Sequence, residues 1–147
     1  MQGPKIKNGC IFCNALQMED HEANIVFRGK TAYVILNKYP YTNGHLMIVP
    51  YAHKGSLEEL DPETRAEMME LLSKAITILR KTYKPQGFNL GGNIGEAAGA
   101  GVADHVHLHI LPRWSGDTNF MTAIGETRVI PESVEDTWEI LSAKWRE

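Results

Sequence analysis

The stretch DHVHLHILPRW, residues 104–114, alternates strictly, with His105, His107 and His109 set against Val106, Leu108 and Ile110. Side chains of an extended strand point to opposite faces in turn. The pattern therefore predicts a strand over residues 105–111, with three imidazoles on one face and three aliphatic chains on the other. Same-face neighbours stand about 6.6 Å apart, from a rise of about 3.3 Å per residue. An ordinary half-buried strand alternates too, but its solvent face uses Thr, Lys or Glu. Here three of the chain's six histidines fall within five residues. A side chain that titrates near neutrality, repeated on one face, points to proton, metal or phosphoryl chemistry.

The surroundings read as one α+β domain built on an antiparallel sheet. Upstream of the histidines lies a strand over Phe88–Ile94, joined to them by GEAAGAGVAD (95–104), which has no bulky side chain before Val102. Further back, Ile25–Arg28 and Thr31–Leu36 are β-rich runs parted by Gly29-Lys30, a hairpin signal. Asn37–Gly44, with Pro40, Asn43 and Gly44, is a connecting loop. His45–Val49 reads as a strand stopped by Pro50. A long helix opens with Asp61 at the N-cap, Pro62 at the first helical position and Glu63 in the first turn. Met68, Leu71, Leu72, Ala75, Ile76 and Leu79 repeat at helical spacing, and Lys84-Pro85 closes the helix. A second helix runs from near Ser133 to Trp145.

With 147 residues, 43% hydrophobic and 22% charged, the chain has the balance of a globular protein with one contiguous core. Its formal charge of −3 argues against a large basic face for duplex nucleic acid, while leaving room for a small phosphate pocket. No apolar run approaches the roughly 18–20 residues that span a bilayer. MQGPKIKNGC lacks the apolar stretch of a signal peptide, so the cytoplasm is the expected location. There, reduced thiols act as ligands or nucleophiles. Cys10-Ile11-Phe12-Cys13 is a CxxC with three readings: half of a zinc site, a redox pair, or two small buried residues.

HVHLHIL (105–111) is a histidine triad, and with it the chain resembles the histidine triad (HIT) superfamily of nucleotide hydrolases and transferases. GHLMIVP at 44–50, AGAGV at 98–102, PRW after the triad and SGDTNF at 115–120 make it most similar to the fragile-histidine-triad and diadenosine tetraphosphate phosphorylase branch. The likeness covers roughly residues 10–131. It implies a HIT-like fold of about five antiparallel strands, one long helix and a C-terminal helix. Residues 1–147 are then a single HIT domain, with 1–9 an N-terminal extension and 132–147 the C-terminal helix.

The resemblance also implies roles. His107 would attack the α-phosphorus of an adenine nucleotide and form a nucleotidyl-histidine, with His105 and His109 beside it in the catalytic set. His109 would lie near the phosphate and offset charge. Asn37 and His45 would hold the ribose and shape the nucleoside pocket, and Asn93 would set its amide against the α-phosphate. Gly99, Gly101 and Val102 would bring backbone N–H groups to the phosphates. Relatives pair the CxxC with two histidines around a structural zinc, which here implies Cys10, Cys13, His53 and His105. No organic cofactor is implied.

In one place the chain departs from the hydrolytic relatives. Where they carry Gly-Gln-Thr or Gly-Gln-Ser, this chain reads Ala100-Gly101-Val102. The missing amide and hydroxyl would orient a water, so inorganic phosphate is the expected acceptor for a dinucleoside polyphosphate phosphorylase or hydrolase. The alternatives are a nucleoside phosphoramidate hydrolase and a nucleotide-binding signalling protein with slow turnover. Family members dimerise by joining their sheets edge to edge and pairing the long helix, here residues 61–84, and the broad apolar stripe of that helix suggests a homodimer, with neither nucleic acid nor membrane as a partner.

Overall fold

A computed structural model describes residues 9–38, 43–117 and 132–147. Residues 1–8 of the expected N-terminal extension, Pro40 and residues 118–120 of SGDTNF lie outside the described residues. Five strands form one antiparallel sheet: β1 (Ile25–Arg28), β2 (Ala32–Leu36), β3 (Leu46–Pro50), β4 (Gly87–Gly91) and β5 (Leu108–Arg113). Their order is β1-β2-β3-β5-β4, so the histidine-bearing strand lies inside the sheet and β4 forms an edge. Two one-turn helices precede the sheet, α1 (Ile11–Ala15) and α2 (Asp20–Ala23). The long helix α3 spans Pro62–Tyr83 and the C-terminal helix α4 spans Val134–Arg146.

Both central strands are buried along their whole length, because each sheet face is covered. On one face, Ala32, Val34, Leu36, Leu46, Ile48, Val106 and Ile110 pack beneath α3 and α4. On the other, Tyr33, Ile35, Met47 and Val49 pack against Cys10, Phe12, Cys13 and Ala15 of the N-terminal segment. His109 pairs with Met47 in the ladder, which places it on this second face.

Several expectations are corrected. β5 begins at Leu108 rather than His105 and runs on to Arg113. Ahead of it the chain leaves the ladder: the Val106 N–H donates to the Lys54 carbonyl at 2.7 Å and the His105 N–H to the Val102 carbonyl at 3.3 Å. β4 ends at Gly91 instead of Ile94, where a second glycine follows and the chain turns away. Asp61 has extended N-cap geometry, but its side chain makes no capping bond. On α3, Ile78 is buried where Ile76 was expected, and Ile76 is half-buried at the flank. The stripe is consumed within the chain by the sheet and α4, so its width is no ground for a partner. The C-terminal helix starts as expected, with the Ser133 hydroxyl accepting the Asp136 N–H at 3.0 Å.

Candidate functional site

Two clusters meet on the face covered by the N-terminal segment. The first contains Cys10, Cys13, His53 and His105, one donor atom from each lying within 4.8 Å of the others. Cys10 caps α1, its sulfur accepting the Cys13 N–H at 3.5 Å, so a single helical turn turns both thiols inward. The His105 Nε2–H donates to the Pro50 carbonyl at 2.8 Å. A carbonyl can only accept, so the proton sits on Nε2 and the Nδ1 lone pair faces the thiols. Nδ1 lies 3.4 Å from the Cys10 sulfur, 3.6 Å from the Cys13 sulfur and 3.3 Å from His53 Nδ1. His53 Nδ1 is also 3.3 Å from the Cys13 sulfur.

Those separations test whether zinc fits. With Zn–S near 2.3 Å and Zn–N near 2.05 Å, a tetrahedron has S···N edges of about 3.6 Å and N···N edges of about 3.3 Å. The observed edges match within about 0.3 Å, and the Pro50 carbonyl is the outer partner that orients a ligating imidazole. The four residues fit a closed structural zinc site that would tie the N-terminal segment to the segment carrying the histidines. A cleft of about 720 Å³ opens onto Cys10 and His53, lined also by Lys54, Gly55, Glu59 and Gly101 to Asp104.

The second cluster is catalytic in form. The His107 Nδ1–H donates to the His105 carbonyl at 3.0 Å, which leaves the Nε2 lone pair for a substrate. Burial lowers the His107 pKa from the ordinary histidine value, although the bond to the His105 carbonyl opposes the shift. The ring is therefore neutral near pH 7 and competent as a nucleophile. Phe12 packs against it with ring centres 4.7 Å apart, and His109 lies at 4.9 Å. His109 Nδ1 is 2.9 Å from His45 Nε2, so the nitrogen left to the site is Nε2. Burial lowers the His109 pKa too, with His107 adding to the shift.

His45 is 1% exposed, and burial followed by the charge of His109 lowers its pKa to about 4. It backs His109 rather than presenting a surface of its own. The Asn37 amide nitrogen lies 3.3 and 3.4 Å from its two ring nitrogens. Asn93 is exposed and donates across the Gly/Ala loop to the Gly99 carbonyl at 3.4 Å. Gly99 has φ +94°, a left-handed conformation suited to glycine, and Gly101 is exposed. Val102 packs its side chain against the N-terminal cluster.

Two contributors carry no plain signal among the motifs. A Cβ on Gly92 would stand 2.6 Å from the His107 carbonyl oxygen, so only glycine lets the chain pass the His107 backbone. The Gly91-Gly92 pair is the one trace of it in the sequence. Pro50 acts through its carbonyl, which no side-chain pattern reveals.

A family profile described as HIT domain matches residues 19–116. The chain is 45% identical over 134 residues to a protein of Mycobacterium tuberculosis named AP-4-A phosphorylase, covering 91% of this chain and 69% of that one. Among solved structures, it resembles a hypothetical histidine triad nucleotide-binding protein from Sulfolobus tokodaii with a TM-score of 0.73, 27% identity and coverage of 93% and 92%. A zinc-bound histidine triad family protein from Mycobacterium smegmatis superposes with a TM-score of 0.72 at 28% identity, covering 92% of this chain and 91% of that one.

Proposed function

The chain belongs to the HIT domain family, and from that premise we propose that it is a dinucleoside polyphosphate phosphorylase working through a nucleotidyl-histidine at His107. The observation that carries the reading is the tautomer of His107, with Nδ1–H held by the His105 carbonyl and Nε2 left as a nucleophile. The relative named AP-4-A phosphorylase supports the substrate class. In the first step Nε2 attacks the α-phosphorus of diadenosine tetraphosphate. A P–N bond forms, the P–O bond to the other half breaks, and ATP leaves with the electron pair. In the second step an oxygen of inorganic phosphate attacks the same phosphorus, the P–N bond breaks, and ADP leaves. His109 Nε2 stands beside the nucleophile to offset charge on the transferring phosphoryl group.

Cys10, Cys13, His53 and His105 would hold the zinc, which supplies structural cross-linking and no open coordination position. Asn37 serves the ribose, and Asn93, Gly99, Gly101 and Val102 form the phosphate side of the pocket. We assign self-pairing into a homodimer to the edge strand β4, where Leu90 is 49% exposed, with Ile94 just beyond it at 45%. No described helix is long and apolar enough to cross a membrane, and the cytoplasm remains our assignment.

The test is diadenosine tetraphosphate incubated with and without inorganic phosphate, with products resolved by chromatography. ADP plus ATP, and label trapped on His107 alone after an alkaline quench that spares the acid-labile P–N bond, are the expected results. AMP plus ATP in phosphate buffer would make water the acceptor. Undiminished turnover by His107→Ala would remove the nucleophile.

A further inference from the structure

The turn that delivers His45 is anchored by residues far from it in sequence. Gly44 adopts φ +81° and lies so close to α3 that a Cβ there would meet Leu79 at 3.0 Å and Tyr83 at 3.1 Å. Beside it, the Asn43 side-chain oxygen accepts the Glu132 N–H at 2.9 Å. The Glu132 carboxylate accepts the Tyr83 hydroxyl at 2.6 Å and the Thr137 hydroxyl at 2.7 Å through the same oxygen. One residue ahead of the Ser133 cap of α4 thus joins α3, α4 and the loop that carries His45.

Between these groups lies a small cavity, with about 10 Å³ open to a water centre, lined by Asn37, Asn43, His45, Glu132 and Thr137 among others. That is the space one water needs, and a buried water is held by two to four polar partners. Five polar side chains line this one. His45 is shut off from bulk solvent and gives Nε2 to His109.

We propose that this cavity holds one ordered water, and that Glu132, through that water and through Asn43, is a positioning residue for the His45–His109 pair. The proposal rests on the reading of His109 as the partner of the nucleophile. A carboxylate one water away from His45, which is joined to His109, favours positive charge on the pair while it faces a phosphoryl group. His107 stands in ring contact with His109, and Glu132, which lines the cavity with His45, is itself bonded to Tyr83 of α3. Burial and the Glu132 bond push the Tyr83 hydroxyl far above its ordinary pKa, so it remains a donor.

Glu132→Gln keeps an amide oxygen for the two hydroxyls but removes the charge. Its kcat with diadenosine tetraphosphate and phosphate is expected to fall about tenfold, with KM nearly unchanged and the melting temperature lower by only a few degrees. In ¹⁵N-histidine spectra the protonation midpoint of His109 should drop by about half a unit, since an attractive charge is lost. Tyr83→Phe, which leaves the carboxylate, should keep kcat within about twofold of the parent. Wild-type kcat and midpoint in Glu132→Gln would overturn the proposal, as would kcat, KM and melting temperature failing together. A high-resolution crystal structure of the parent protein tests the water without any variant, because a dry cavity also overturns the proposal. If the parent protein turns over no dinucleotide, the phosphorylase reading fails, whereas the spectra and the water still judge Glu132.

Discussion

Removing zinc is expected to cost this protein stability before it costs chemistry. Without a metal, two thiols and two imidazoles face one another at 3.3 to 3.6 Å, with only protons to satisfy them. The N-terminal segment has other moorings. The Tyr33 hydroxyl donates to the Phe12 carbonyl at 2.7 Å, and Arg28 donates to the Leu16 carbonyl at 3.1 Å, the Met18 carbonyl at 2.9 Å and Asp20 at 2.8 Å. The core beneath α3 and α4 lies on the opposite face of the sheet from the cluster. Loss should therefore loosen residues 9–15 while the remaining core stays folded.

The magnitude follows from linkage. Free zinc at about 1,000 times its dissociation constant adds about 4 kcal/mol to the native state. In a chain of this size, each kcal/mol moves the melting temperature by about 2–4 °C. A drop of about 8–16 °C on chelation is the expected result, and His53→Ala should reproduce most of it. The cleft beside Cys10 and His53 gives a chelator its route. The assay is thermal melting with and without chelator, paired with metal content and with trapping of the nucleotidyl-histidine at 25 °C. Trapping should survive in still-folded protein. The gap between metal-loaded and stripped protein should shrink as pH falls, because the ligands bind zinc only without their protons. Protein that holds less than about a tenth of an equivalent of zinc, and melts alike with and without chelator, would refute the reasoning.

Three further outcomes are expected. Glu67 accepts bonds from the Lys30 N–H at 2.8 Å and from the Thr31 N–H and hydroxyl, clasping the β1–β2 turn to α3; Glu67→Gln should cost about 1–2 kcal/mol in chemical denaturation. Burial pulls the Glu67 pKa up, but those bonds outweigh it and hold it below the ordinary value. The carboxylate's contribution is therefore complete above its unfolded midpoint and lost as pH falls through the folded one, and a parent–variant gap that widens in acid would contradict this. Gly92→Ala must displace the His107 carbonyl, so kcat should fall by about 10- to 100-fold with zinc content intact, as read by steady-state kinetics and metal analysis. Leu90→Lys on the exposed edge should convert a dimer to a monomer by light scattering; a monomeric parent at micromolar concentration would remove the β4 interface.

What the sequence disclosed was what is local: β-rich runs bounded by turn residues located β1, β2 and β3, the 3.6-residue period located α3, and the alternation of the triad located the site. Helices α1 and α2 are five and four residues long, too short for a period to show, and α1 hides inside the CxxC as its cap and turn. The insertion of β5 between β3 and β4 is a long-range choice that no local pattern encodes. β5 starts late because backbone groups of residues 105 and 106 bond to Val102 and Lys54, and side-chain alternation is blind to that. Glu67 was invisible for a related reason, since its partners are two backbone N–H groups 36 and 37 residues away and one hydroxyl.

The alternation that announces the triad also hides its division of labour, because the three imidazoles are equivalent as letters and differ as acids and bases. His105 spends Nε2–H on the Pro50 carbonyl and turns Nδ1 to the thiols. Two residues on, His107 spends Nδ1–H on the His105 carbonyl and keeps Nε2. Two further, His109 engages Nδ1 with His45 and keeps Nε2. The switch of nitrogen between His105 and His107 would separate a metal ligand from a nucleophile two residues apart. It is made by two main-chain carbonyls, and the carbonyl that orients His107 belongs to His105 itself. A metal that fixes the His105 ring thereby fixes the acceptor that holds the nucleophile's tautomer. Zinc held there would serve the proposed reaction without touching it, by keeping His107 facing one way.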